Sequence, residues 1–144
     1  MFKKILVVCV GNICRSPMGE VLLKKYAPQC TVQSAGVKAL EGHSADEQMQ
    51  ILTSKYDVDL SKHVARQLTE QMCQEAELIL VMESGHTHVM EQICAAARGK
   101  TMLFGQWLGA NKEIADPYQK SDDMFALVAD QIDQAARSWA KKLG

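Results

Sequence analysis

The sequence has no surplus of charge of either sign, no long apolar run and no paired-cysteine pattern, and each absence excludes a class of function. Lys and Arg together number 16 and Asp and Glu 17, a formal net charge of -1. That balance does not describe a chain whose main partner is nucleic acid or an anionic membrane. Any anion selectivity must come from a local site. The apolar run Ile5 to Val10, behind Met1-Phe2-Lys3-Lys4, is too short for the core of a signal peptide and stops at Gly11-Asn12. No stretch approaches the roughly 20 apolar residues of a membrane span. The expectation is a cytoplasmic protein with no direct membrane insertion. The 5 cysteines, at positions 9, 14, 30, 73 and 94, are odd in number and draw no disulfide framework. They are expected as unbridged thiols, buried or chemically active. No pair of C-x-x-C or H-x-x-x-H type is present, so no metal is expected. Repeats, low-complexity tracts and linkers are also missing. At 144 residues and 47% hydrophobic, the chain is one domain's worth, taken as 1–144.

What is present alternates strand and helix. Ile5-Leu6-Val7-Val8 is continuously apolar and β-branched, as in a strand buried on both faces. Gly11 and Asn12 break it. Ser16-Pro17 then predicts a helix start, with Ser16 as the cap and Pro17 at the first helical position. Thr31 to Ser34 reads as a second strand, residues 37–44 as a loop and Ala45 to Tyr56 as a helix with Met49 and Leu52 inward. A loop through Ser61-Lys62-His63 leads to a short helix over Thr69 to Glu75. Leu78 to Met82 predicts a third buried strand. Ser84 to Ala96 predicts a helix with Val89, Ile93 and Ala97 inward, and Lys100 to Leu103 a fourth strand. Residues 105–120 carry Gly, Asn and Pro and read as a long loop, a length that tends to be functional. Ser121-Asp122-Asp123 opens a last helix with one apolar stripe through Phe125, Val128, Ile132, Ala135, Trp139 and Leu143. The pattern is that of an α/β fold with a parallel sheet and helices on both faces. Ligands in such sheets bind beyond the carboxyl ends of the strands, where Cys9 to Ser16 falls.

The run Cys9-Val10-Gly11-Asn12-Ile13-Cys14-Arg15-Ser16 joins that first strand to the first helix. Backbone N–H groups of a tight strand-to-helix turn can converge on one anion, and the helix dipole adds partial positive charge. Gly11 is expected to allow a backbone conformation closed to other residues. Arg15 supplies a planar fork for two phosphate oxygens. The same positive potential favours the thiolate of Cys9, and the Ser16 hydroxyl can donate to its sulfur. Ester cleavage also needs an acid for the leaving oxygen. Asp116 in Asp116-Pro117-Tyr118 of the long loop could reach the pocket. Alone, Asp-Pro is a common turn; beside the Cys9 loop it gains weight.

At these residues the sequence resembles the low-molecular-weight protein tyrosine phosphatases. The resemblance runs over the whole chain, through V-C-V-G-N-I-C-R-S-P at its start, Ser34-Ala35-Gly36, His63 to Gln67, Leu78 to Glu83 and Asp116-Pro117-Tyr118. Met102 to Gly105 and Ile114 to Tyr118 look like the bacterial branch that acts on tyrosine autokinases of capsule and exopolysaccharide assembly. The resemblance implies a four-stranded parallel sheet with the phosphate-binding loop after the first strand, and neither metal nor cofactor. It makes Cys9 the nucleophile, Arg15 the phosphate clamp and Asp116 the general acid. The phosphate-binding loop is Val10, Gly11, Asn12, Ile13, Cys14 and Ser16, braced by hydrogen bonds from Asn12, Ser16, Ser34 and His63. Ile13, Leu40 and Tyr118 are the expected contacts to a substrate ring, Leu40 by analogy. Cys14 is the expected redox partner of Cys9. His43, His86 and His88 are left as surface residues. The implied partner is a phosphotyrosine protein, a membrane tyrosine autokinase met through its cytoplasmic tail, and the enzyme is expected to be mainly a monomer.

Three rivals share parts of this pattern. An arsenate reductase on the same scaffold needs resolving cysteines after the third strand, where this chain has Val81-Met82-Glu83. A protein-arginine phosphatase resembles this loop but carries Thr in place of Ile13, and Ile13 with Tyr118 suits a flat phenol ring. A non-catalytic phosphate-binding module would not need both Cys9 and Asp116.

Overall fold

The first apolar run forms strand β1, Lys4–Cys9, and its alternation explains the layers of the fold. Ile5, Val7 and Cys9 point into one hydrophobic cluster, and Leu6 and Val8 into another on the opposite face. The third strand in sequence, β3 (Leu78–Val81), splits the same way, with Leu78 and Leu80 on one side and Ile79 and Val81 on the other. A strand covered on both faces must be apolar at every position, which is why neither run alternates with polar residues. With β2 (Thr31–Gly36) and β4 (Thr101–Leu103) they make a four-stranded sheet in the order β2-β1-β3-β4, every pair parallel. The computed structural model describes residues 2–110 and 112–144; Met1 and Asn111, the latter within the expected 105–120 loop, lie outside the described residues.

The first helix, α1 (Arg15–Tyr26), and the last, α5 (Asp122–Leu143), pack together on the face of Ile5 and Val7. The whole expected stripe of α5 is buried, from Phe125 to Leu143. Ser121 caps it by accepting from the Met124 N–H at 3.2 Å. Asp133, buried between the two helices, accepts from the Tyr26 hydroxyl at 2.5 Å and from Arg137 Nε at 3.0 Å, so its carboxylate is satisfied. The Trp139 indole donates to the Phe104 carbonyl at 2.8 Å and ties α5 to the segment after β4. Helix α2 (Glu47–Ser54) shares this core through Met49 and Leu52. Helices α3 (Glu70–Glu75) and α4 (Gly85–Ile93) cover the other face.

Four expectations are corrected. Helix α1 begins at Arg15 behind Cys14, so Ser16 is an interior first-turn residue and caps nothing. Its hydroxyl is engaged inside the molecule instead. Helix α2 starts later than Ala45, because the Asp46 side chain accepts from the N–H groups of Gln48 and Met49 and sets the boundary. Helix α4 stops at Ile93, followed by a 3-10 turn over Ala95–Ala97, and Val89 is 42% exposed while Met90 is buried. The helix turns Met90, one position on, toward the sheet. Finally, Cys73 and Cys94 are bridged, their Cα atoms 6.2 Å apart. Cys73 on α3 and Cys94 just past α4 meet in the second core, where the packing of these segments brings together residues 21 positions apart. No local spacing motif announces such a pair.

Candidate active site

Cys9 is the last residue of β1, so its side chain sits at the carboxyl edge of the sheet. From there the backbone turns back on itself, and the hydrogen bonds show how. Five successive carbonyls point outward. The Cys9 carbonyl accepts from the Val37 N–H at 3.0 Å, Val10 from Lys38 at 2.9 Å, and Gly11 from Leu40 at 3.1 Å. The Asn12 carbonyl accepts from His63 Nε2 at 2.7 Å, and that of Ile13 from the Asp46 N–H at 2.8 Å. With its carbonyls committed outward, the loop turns its N–H groups to the inside. Among the described residues, those of 11 to 14 have no hydrogen-bond partner. They form a concave array of donors at the start of α1, an anion-binding nest.

The residue that makes this turn is Asn12, at φ 59°, and Gly11 is not in the left-handed region. Asparagine tolerates that region better than other side-chain-bearing residues. Asn12 is also fully buried, and its side chain explains why. Its Oδ1 accepts from the Arg66 N–H at 2.9 Å. Its Nδ2 donates to Ser16 Oγ at 2.8 Å and to Ser34 Oγ at 3.0 Å. Ser34 in turn donates to Glu20 at 2.5 Å. Ser16 Oγ accepts from Asn12 and lies 2.9 Å from Cys9 Sγ, where its hydroxyl can donate to a thiolate. The network thus runs unbroken from Glu20 through Ser34, Asn12 and Ser16 to the sulfur. The glycine that the site needs is Gly36. A Cβ there would lie 2.4 Å from the Val10 carbonyl oxygen and 3.0 Å from the Asn12 nitrogen.

Arg15 is 1% exposed. Its Nη1 donates to Glu83 Oε1 at 2.6 Å and to the Ile114 carbonyl at 2.8 Å, and Nη2 lies 3.7 Å from Asp116 Oδ2. The guanidinium is thus fixed on one edge by Glu83 and faces Asp116 on the other. Asp116 is anchored by its other oxygen, which accepts from the Tyr118 N–H at 3.0 Å. A pocket of about 170 Å3 is lined by Cys9, Val10, Gly11, Ile13, Cys14, Arg15, Lys38, Leu40, Asp116 and Tyr118. Burial, then the carboxylates of Asp46 and Asp116, push the Cys14 thiol well above its ordinary value, so it stays protonated at neutral pH.

The pocket gathers the expected nucleophile, clamp, acid and ring contacts into one cleft. Asn12, Ser16, Ser34 and His63 are not in it; they stand behind the loop and brace it. Three further residues take part that sequence reasoning did not single out. Glu83 holds Arg15, and the available signal was an acid directly beyond the carboxyl end of the buried third strand. Lys38 lines the pocket beside Leu40. His86 is half-buried, with Nε2 3.8 Å from Glu83 Oε1 and Nδ1 buried without a hydrogen-bond partner among the described residues. That corrects its reading as a surface residue. Burial, reinforced by Arg15, lowers its pKa. His43 and His88 are exposed, as expected. Among the described residues, no group of three or more His, Cys, Asp or Glu side chains is arranged to hold a metal ion, and no helix is long and apolar enough to cross a membrane.

Comparisons with known proteins bear directly on this site. The probable low molecular weight protein-tyrosine-phosphatase AmsI of Erwinia amylovora is 50% identical, covering 99% of both chains. The structure of Vibrio vulnificus Wzb in complex with benzylphosphonate superposes with a TM-score of 0.95 at 49% identity over 99% of each chain. The arginine phosphatase YwlE from Geobacillus stearothermophilus is more distant, with a TM-score of 0.89 at 31% identity over 98% of this chain and 92% of that one. Residues 4–144 match a single family model, and the chain belongs to the low molecular weight phosphotyrosine protein phosphatases.

Proposed function

We propose that the protein hydrolyses phosphotyrosine in proteins through a phosphocysteine intermediate, with Cys9 as nucleophile, Arg15 as phosphate clamp and Asp116 as general acid. The observation that carries this reading is the outward turn of the five carbonyls from Cys9 to Ile13, which leaves the loop N–H groups free above a thiol that Ser16 addresses. In the first step Cys9 sulfur attacks phosphorus in line with the departing phenol. The S–P bond forms, the P–O bond breaks, and Asp116 gives its proton to the phenolate oxygen. The equatorial oxygens gain charge, and the inward amides and Arg15 meet it. Donors of this kind are worth about 10²–10³ in rate each when they act only on the transition state. In the second step Asp116 takes a proton from water, whose oxygen attacks phosphorus and releases the thiolate and phosphate. Val10, Gly11, Asn12, Ile13, Cys14 and Ser16 make the phosphate loop, with Ser34 and His63 as braces.

Ile13, Leu40 and Tyr118 form an apolar collar on which a phenol ring stacks. This collar, with the higher identity to tyrosine phosphatases than to the arginine phosphatase, favours tyrosine. By the same kinship, the substrate is a membrane tyrosine autokinase of capsule or exopolysaccharide assembly, met in the cytoplasm by a monomeric enzyme. The test is turnover of p-nitrophenyl phosphate and of matched phosphotyrosine and phosphoarginine peptides. Cys9→Ser abolishes turnover, and Asp116→Asn keeps a phosphoenzyme burst but slows the steady-state rate after it. Full activity of Cys9→Ser, or a preference for phosphoarginine, overturns the proposal.

A further inference from the structure

One wall of the cleft is a segment laid along the phosphate loop in order, from Lys38 and Leu40 in the pocket to Asp46 in the adjoining groove. The Lys38 N–H meets the Val10 carbonyl, the Leu40 N–H meets Gly11, and the Asp46 N–H meets Ile13, at 2.9, 3.1 and 2.8 Å. Lys38 and Asp46 therefore mark opposite ends of that wall, with the apolar Leu40 between them. Their charges are opposite. At one end Lys38 lines the pocket, exposed and without a side-chain partner among the described residues. At the other, Asp46 is followed by Glu47, also exposed and unpaired among the described residues. The pocket continues in this direction. Tyr118 is shared with a shallow groove of about 420 Å3 whose walls include Asp46, Glu47, Ile51, Gln119 and Phe125. Asp46 caps α2 and its carboxylate is already met by the Gln48 and Met49 N–H groups, so Glu47 carries the available charge of that end. The remaining cation of the pocket, Arg15, is committed to Glu83 and faces Asp116 at its centre.

From this arrangement we infer that the rim reads the charge of residues flanking the phosphotyrosine: Lys38 selects an acidic residue on one side, and Glu47 selects a basic residue on the other. The inference rests on the phosphotyrosine reading above and names the substrate class within it: a phosphotyrosine segment polarised from acidic to basic across the modified residue. A chain lying across the cleft must pass both ends of the wall, so reversing its charge order exchanges two attractions for two repulsions. Exposed pairs of this kind are individually weak, and two of them acting together give a preference of about five- to tenfold at low salt.

The experiment uses two phosphotyrosine peptides of identical composition, one with two glutamates before the phosphotyrosine and two lysines after it, the other with the order reversed. The ratio of their kcat/KM values on one enzyme cancels any change in the chemical step common to both. The expected result is a ratio five- to tenfold from one, falling toward one as added salt screens the rim, and inverted in the double variant Lys38→Glu/Glu47→Lys. A wild-type ratio of one, or a double variant that keeps the wild-type preference, overturns the inference, provided that p-nitrophenyl phosphate is turned over. Failure to hydrolyse any of the three esters overturns the phosphatase reading, and this inference with it.

Discussion

Gly36→Ala tests whether the site depends on close backbone approach. Gly36 lies at the end of β2, and its N–H is held by the Arg66 carbonyl at 3.0 Å while its carbonyl accepts from Leu68 at 2.8 Å. It cannot retreat without breaking those bonds. The added methyl would stand 2.4 Å from the Val10 carbonyl oxygen and 3.1 Å from Asn12 Cβ. To reach even a tight 3.0 Å, the phosphate loop must move outward by about 0.6 Å. Val10 and Asn12 both belong to that loop, and Asn12 orients Ser16 toward Cys9, so the shift passes straight to the nucleophile. Misplacement on the order of 1 Å at a reacting centre costs about 10²-fold in rate. Overpacking of this kind also costs about 1–3 kcal/mol of stability. The expected result is a folded variant with an unchanged far-ultraviolet circular dichroism spectrum, a lower urea midpoint and a kcat for p-nitrophenyl phosphate reduced about 30- to 100-fold, on the order of the loss that such misplacement brings. A variant within twofold of wild type in kcat would refute the reasoning, since the loop would then tolerate displacement.

Glu83→Gln removes the closer of the two carboxylates that face the buried Arg15; kcat/KM for p-nitrophenyl phosphate should fall about 10- to 100-fold and inorganic phosphate should inhibit less, while an unchanged phosphate inhibition constant would show that Glu83 does not position the clamp. Because the folded protein lowers the pKa of His86 below 6.5, the unfolded chain takes up the proton first, so stability should fall as pH drops through 6.5. His86→Gln should lessen the loss in urea midpoint between pH 7.5 and pH 5.5; an equal loss in both proteins would assign it to other groups. Peroxide should oxidise the Cys9 thiolate to a sulfenic acid, from which the Cys14 thiolate displaces hydroxide to form a disulfide. Since burial and two carboxylates push the Cys14 thiol up, closure should be slow at pH 7 and accelerate about tenfold per pH unit. A mass-spectrometric time course of the Cys9–Cys14 link that does not change with pH, or that gives Cys9 sulfonate instead, would count against Cys14 as the resolving thiol.

The parts of the fold that were legible in the sequence are those where one physical demand governs many residues. A strand buried on both faces must be apolar at every position, and Ile5 to Val8 and Leu78 to Val81 are. A helix against a sheet must keep one stripe apolar, and Phe125 to Leu143 does so along a helix of 22 residues. Short helices carry too few turns to state their phase, which is how Val89 came to be expected inward in place of Met90. The Cys73–Cys94 bridge was invisible for a different reason. Its partners lie in separate helical segments, and only the packing of α3 against the end of α4 brings them together.

The site divides along the same line. Cys9 and Arg15 could be proposed from their motif, and Asp116 only beside that motif; the structure brings all three to one pocket. Ser16 could be read both as a helix cap and as a donor to the sulfur, and in the structure its hydroxyl faces sulfur and caps nothing. Asn12 decides where Ser16 is held, since in its left-handed conformation it delivers its amide to Ser16 and Ser34 together. Gly36 is what lets Val10 and Asn12 approach closely enough for that geometry. Glu83 belongs to the site only because β3 lies beside β1 in the sheet, which places its carboxylate against Arg15 across 68 positions of sequence. The proposed nucleophile and clamp are thus each local in sequence, while what positions them, Gly36 through Asn12 and Glu83, is supplied by the neighbouring strands on either side of β1.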